Sequence, residues 1–70
     1  MGNCFMHVKH VSRGVFNRVS DRISKEGLKN IVTIYYNGTD LYGDISIEGR
    51  PGYSDDYENA LIIFTEEYCK

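Results

Sequence analysis

The dipeptide Asn37-Gly38 stands between a β-forming run, Ile31-Val32-Thr33-Ile34-Tyr35-Tyr36, and a segment that alternates from Thr39 to Glu48. Asn-Gly is the pair that type I′ hairpin turns prefer, because both central positions need φ > 0. A two-residue corner sets the pairing. Tyr36 is expected opposite Thr39, Tyr35 opposite Asp40, Ile34 opposite Leu41, Thr33 opposite Tyr42, Val32 opposite Gly43 and Ile31 opposite Asp44. Period-two alternation makes one face buried and the other wet. The expected core face carries Val32, Ile34, Tyr36, Leu41, Ile45 and Ile47. The expected wet face carries Ile31, Thr33, Tyr35, Asp40, Tyr42, Asp44 and Glu48. A one-residue slip would exchange the two faces, so the alternation itself resists slippage.

The flanking segments supply the rest of the fold. Residues 4–11 are rich in β-formers and predict a first strand. Ser12 can cap a helix running from Arg13 to Glu26, whose apolar residues Val15, Phe16, Val19 and Ile23 fall on one side. Gly14 weakens its first turn, and Gly27 is a natural stop because it can take the left-handed conformation. After a loop from Gly49 to Tyr53, Ser54 is the expected N-cap, with Asp55 and Asp56 complementing the helix dipole. Tyr57, Leu61, Phe64 and Tyr68 then form a narrow helical stripe. Leu61 to Thr65 has high β propensity and offers a rival strand reading; the cap and the stripe favour the helix. Ile62 and Ile63 lie off that stripe. The expected architecture is a single α+β domain over residues 1–70. It is a small two-layer sandwich in β-α-β-β-α order: a three-stranded sheet with a 31–36/39–48 hairpin, and two helices on one face.

With 70 residues, the chain buries only about 60% of the surface its unfolded form exposes. That leaves no room for a second core or a large enclosed active site. No stretch approaches the roughly 20 apolar residues of a spanning helix, and Arg13 and Arg18 interrupt any signal-peptide run. A cytoplasmic protein is the expectation, with Cys4 and Cys69 reduced rather than bridged. Met1-Gly2-Asn3-Cys4 has the look of an acylation signal, but Met6 stands where that signal needs Ser or Thr.

The formal net charge of −2 hides a segregated chain. Residues 1–35 set Lys9, Arg13, Arg18, Arg22, Lys25 and Lys29 against Asp21 and Glu26, for a net +4. Residues 36–70 set Arg50 and Lys70 against Asp40, Asp44, Glu48, Asp55, Asp56, Glu58, Glu66 and Glu67, for a net −6. Such a layout either steers charged partners or is spent internally, with the basic helix packed beside the acidic C-terminal segment.

Few residues point to chemistry. Cys4, His7 and His10, with Cys69 as a fourth group, have zinc-ligand character. On a strand, however, His7 points away from Cys4 and His10, and no metal or other cofactor is expected. Cys4 with a histidine makes two parts of a nucleophilic set. Asp40 and Asp44 on one strand face could pair as carboxylates, but nothing apolar is expected to bury either. The Gly49–Gly52 loop precedes a helix N-terminus, where Asp55 and Asp56 would repel an anion. The chain is therefore not expected to be an enzyme.

Two binding readings remain. Tyr35 and Tyr42, expected diagonally across from each other and flanked by Asp40, Asp44 and Glu48, make an open face suited to a basic protein surface. Tyrosines also serve β propensity and cross-strand packing on a merely solvated sheet. The second reading is a nucleic-acid contact through Arg18, Arg22 and Lys25 on the first helix, opposed by a sequence pI of about 5.5. The expected function is a non-catalytic binding module. It would be a stoichiometric inhibitor or modulator of the phage or mobile-element type, docking on a basic or nucleic-acid-binding surface of a larger protein. A homodimer, through this face or a free strand edge, belongs to the same reading. No membrane partner is expected, and nucleic acid is the less favoured one.

Overall fold

A computed structural model describes residues 4–70. The elements run β1 (Cys4–Ser12), α1 (Arg13–Lys25), β2 (Val32–Gly38), β3 (Tyr42–Gly49) and α2 (Ser54–Tyr68). The sheet order is β1-β3-β2, with β3 antiparallel to both neighbours. β1 and β2 are therefore parallel and separated by one strand, a split β-α-β unit completed by a hairpin and a second helix. The expected α+β class and element order are what the chain adopts.

Local chemistry explains the helix ends. The Ser12 hydroxyl accepts from the Val15 N–H at 3.2 Å, capping α1. At the other end Gly27 takes φ +77°, and the Leu28 N–H returns to the Ile23 carbonyl at 3.0 Å. α2 departs from expectation. Its N-cap is Tyr53, without a side-chain cap bond, and Ser54 is already helical. Asp55 and Asp56 do lie in the first turn.

Both helices cover one face of the sheet, and the core lies between them. Ile45 and Ile47 of β3, Val32 of β2, Val11 of β1 and Val19 of α1 are fully buried. Each contributes about 1.5–3 kcal/mol relative to an exposed side chain. α2 turns its Ala60, Ile63, Phe64 and Glu67 inward, while Tyr57 and Leu61 are half-buried and Tyr68 is exposed. The expected stripe is thus rotated: Ile63 belongs to the core, and only Ile62 stays off it.

The hairpin exists, but its corner lies further along the chain. Neither Asn37 nor Gly38 has positive φ, and both belong to β2. The turn is Thr39-Asp40-Leu41, held by Thr39. Its N–H donates to the Tyr42 carbonyl at 2.9 Å, and its Oγ1 accepts from the Leu41 and Tyr42 N–H groups at 3.2 and 3.3 Å. Gly38 now pairs with Gly43 and Tyr35 with Ser46. Tyr35 has exchanged its expected partner Asp40 for Ser46, an even displacement, so every strand side chain keeps its expected face. Two expectations fail with the corner. Leu41 is 73% exposed at the hairpin tip instead of joining the core. Ile31 precedes the strand and packs against the core instead of facing water.

Candidate partner-binding face of the sheet

Among the described residues no element packs on the sheet surface opposite the helices, so the side chains there stand in rows set by strand pairing. Phe5, Glu48 and Thr33 form one row, and His7, Ser46 and Tyr35 the next. Beyond them β1 carries a bulge. Val8 pairs with Ile45 and Val11 with Gly43, leaving Lys9 and His10 across from Asp44 alone. His10 takes φ +60°, the one non-glycine residue in the left-handed region among the described residues.

The bulge organises the polar centre of the face. The His10 N–H donates to Asp44 Oδ1 at 3.4 Å, and its ring stacks on Tyr42 at 4.6 Å with planes only 7° apart. His7 Nδ1 shares a hydrogen bond with Ser46 Oγ at 2.8 Å, while its Nε2 lies 3.7 Å from Asp44 Oδ2. The Tyr35 hydroxyl donates to Glu48 Oε1 at 3.5 Å. The centre of the face is therefore a bonded polar line, with aromatic rings at its margins.

Of the expected site residues, Tyr35, Tyr42, Asp44 and Glu48 share this face, and both tyrosines are half exposed. Two relations change. Tyr35 and Tyr42 are not diagonal neighbours, because Ser46 lies opposite Tyr35 and Tyr42 sits four residues back along β3. Asp40 lies in the turn, away from the sheet surface, and forms no carboxylate pair with Asp44 on a strand. The sequence assigned neither Phe5 nor Ser46 to this face, and pointed to His7 and His10 only as metal-ligand or nucleophile-pair candidates. The usable signal was the β1 alternation, which needed only the knowledge that β1 pairs with β3.

The other constellations resolve on position. Cys4 pairs with Gly49 on the core side of β1, and His7 points to the opposite face, so they do not converge. Among the described residues no group of three or more His, Cys, Asp or Glu side chains could hold a metal ion. Gly2 and the rest of the acylation-like opening lie outside the described residues. Ser46, His7 and Asp44 bring hydroxyl, imidazole and carboxylate into line, as hydrolytic sites do. They lie on an open surface, however, and neither cavity described below contains any of the three. One cavity, of about 190 Å³, is lined by Ile31, Thr33, Glu48, Gly49, Arg50 and Pro51. The other, of about 290 Å³, lies between α1 and β2.

Arg18, Arg22 and Lys25 of the first helix meet carboxylates of the same chain. Arg18 Nε donates to Glu67 Oε1 at 3.0 Å. Arg22 Nη1 reaches Glu66 Oε1 at 2.8 Å and Glu67 Oε2 at 3.1 Å. Lys25 pairs with Asp21 at 3.0 Å. A phosphate approaching Arg18, Arg22 and Lys25 would have to displace these contacts. Glu67 is buried, and hydrogen bonds from Lys70, then Arg22 and Arg18, hold its carboxyl below its ordinary range despite desolvation. The two charged halves thus meet at the α1–α2 seam.

Among the described residues no helix is long and apolar enough to cross a membrane. Fold and site together define a small α+β module with one helix-covered face and one open, polar, aromatic face. Comparison with protein-family models, curated proteins and solved structures gives no match.

Proposed function

We propose that this protein is a non-catalytic binding module that docks on a basic surface of a larger protein through its open sheet face. Tyr35, Tyr42, Asp44 and Glu48 carry the contact, and Asp40 flanks it from the hairpin tip. The observation that supports this most is the exposure of aromatic surface on the uncovered side of the sheet. Phe5 is 58%, Tyr35 51% and Tyr42 50% exposed, around a centre of bonded polar groups. Large, rigid, amphipathic side chains of this kind are the usual anchors of protein interfaces. The carboxylates among them favour a cationic partner and disfavour an anionic one. Small size, an acidic face and stoichiometric action suit an inhibitor or modulator of the phage or mobile-element type, and the basic surface it covers would include one that binds nucleic acid. Cytoplasmic residence belongs to the same proposal.

The test is capture from the native host with the wild-type chain, Tyr42→Ala and Glu48→Lys as parallel baits, each checked for folding by circular dichroism. A partner retained by the wild type and lost from both variants is the expected result. Equal retention by all three rejects the face.

A further inference from the structure

The two edges of the sheet are unlike. β1 is bulged at Lys9 and His10, with a cation and a left-handed residue interrupting its ladder. Those are the usual devices that keep an edge from pairing with another chain. β2 has none of them. Val-Thr-Ile-Tyr-Tyr-Asn-Gly runs without a charge, a proline or a bulge, and most of it has high β propensity.

Its free hydrogen-bonding groups can be assigned. Val32 stands opposite Gly49, and the Arg50 N–H donates to the Ile31 carbonyl at 3.1 Å. That makes Val32–Gly49 a non-hydrogen-bonded pair of the antiparallel ladder. Thr33, Tyr35 and Asn37 therefore direct their backbone groups to β3, while Val32, Ile34, Tyr36 and Gly38 direct theirs outward. Of these, the Val32 N–H is already taken by the Leu28 carbonyl at 2.8 Å. The edge presents both groups of Ile34 and Tyr36, with the Val32 carbonyl at one end and the Gly38 N–H at the other.

We propose that this edge pairs with the same edge of a second copy of the chain, antiparallel about a twofold axis through Tyr35. The free groups are self-complementary in that register. Ile34 of each copy exchanges two hydrogen bonds with Tyr36 of the other, and the Val32 carbonyl receives the Gly38 N–H. Such an isologous contact closes on itself and forms a dimer rather than a fibre. Across the seam Thr33 meets Asn37, and the two Tyr35 rings meet at the axis on the open face.

Charge favours the same register. Extending the pairing beyond the strand brings the Lys29–Asn30 turn of one copy against the Asp40–Leu41 turn of the other. Lys29 and Asp40 are both exposed, and no ion pair involves either among the described residues. Lys29 also borders the 290 Å³ groove beside Val32 and Ile34, along which the second strand would lie. The dimer does not depend on the docking function. Its result would be one six-stranded sheet with both open faces on the same side.

The test is sedimentation of the full chain from about 1 µM to about 1 mM, the range in which weak dimers dissociate. The wild type is expected to show a monomer–dimer equilibrium. Thr33→Lys with Asn37→Lys places like charges opposite each other across the seam and is expected to weaken it roughly tenfold or more. Thr33 and Asn37 face Glu48 and Asp44 within the monomer, so the lysines are tolerated there. Thr33→Lys with Asn37→Glu, combined with Asp44→Asn so that the new glutamate meets no like charge within the monomer, places opposite charges at the same positions and is expected to restore the dimer. Lys29→Glu should weaken it, and adding Asp40→Lys should recover it. A wild type that stays monomeric throughout overturns the proposal. A dimer equally stable in the double-lysine variant, or sensitive only to changes in β1, overturns it too.

Discussion

Arg18 Nε and Glu67 Oε1 lie 3.0 Å apart, and the carboxylate is the one buried acid of the described residues. Arg22 and Lys70 reach its other oxygen, each at 3.1 Å. A single acidic side chain thus ties α1 to α2 and to the C-terminal residue. Removing one partner of such a cluster leaves the others unpaired. Glu67→Gln is expected to lower the thermal midpoint clearly, whereas Glu66→Gln, at a largely exposed position, should change it little. Paired melting curves check this. Equal effects would remove Glu67 from the account.

The same carboxylate sets an acid limit. Its native pKa is lowered, first by the Lys70 hydrogen bond and then by the arginines, against the opposing effect of burial. A depressed acid binds protons more weakly folded than unfolded. Its contribution is therefore full above the ordinary glutamate value near 4.5 and is lost as pH falls through the lower native value. Denaturant midpoints measured from neutral pH down through that window should fall for the wild type. They should fall less steeply for Glu67→Gln.

Gly43 leaves room for the Tyr36 ring and for the backbone of Gly38. A Cβ there would stand 2.7 Å from both Tyr36 Cζ and the Asn37 carbonyl oxygen. Tyr36 cannot give way freely, since its ring also packs tilted against Phe16 at 5.1 Å and lies beneath the Arg13 guanidinium at 4.8 Å. Gly43→Ala is expected to cost about 1–3 kcal/mol, the usual range for overpacking. Chemical denaturation reads it directly.

The displaced hairpin corner separates two residues that alternation alone makes equivalent. Leu41 is exposed at the tip and Ile47 is fully buried. Leu41→Ser should stay within about 0.5 kcal/mol of wild type. Ile47→Ala should cost about 2–5 kcal/mol. A large loss from Leu41→Ser would show that the corner lies at Asn37-Gly38 after all.

Much of the architecture was legible because it depends on short-range periodicity. Val15, Val19 and Ile23 define the buried side of α1 whatever they pack against. The period-two rule assigned Tyr35, Tyr42, Asp44 and Glu48 to the wet side of the sheet. That assignment survived a register error because the displacement was even. Position along the strand was less secure. Asn37-Gly38 is a strong local turn signal, yet Thr39 closes a longer turn and the Arg13 N–H holds the Leu41 carbonyl at 3.0 Å. β3 also pairs with β1 on its other side, and a central strand takes the register that satisfies both neighbours.

The sequence by itself determined the kind and order of the elements and the sidedness of the strands, because those follow from side-chain spacing and local backbone preference. Only the tertiary structure decided which strand lies in the middle, where the hairpin turns, that Ile63 faces inward, and that Arg18 and Arg22 are neutralised within the chain. Those outcomes depend on contacts between residues far apart in the chain. Glu67 reads as one more solvated acid until α1 is laid beside it, and His10 as ordinary strand until β3 bonds across the bulge.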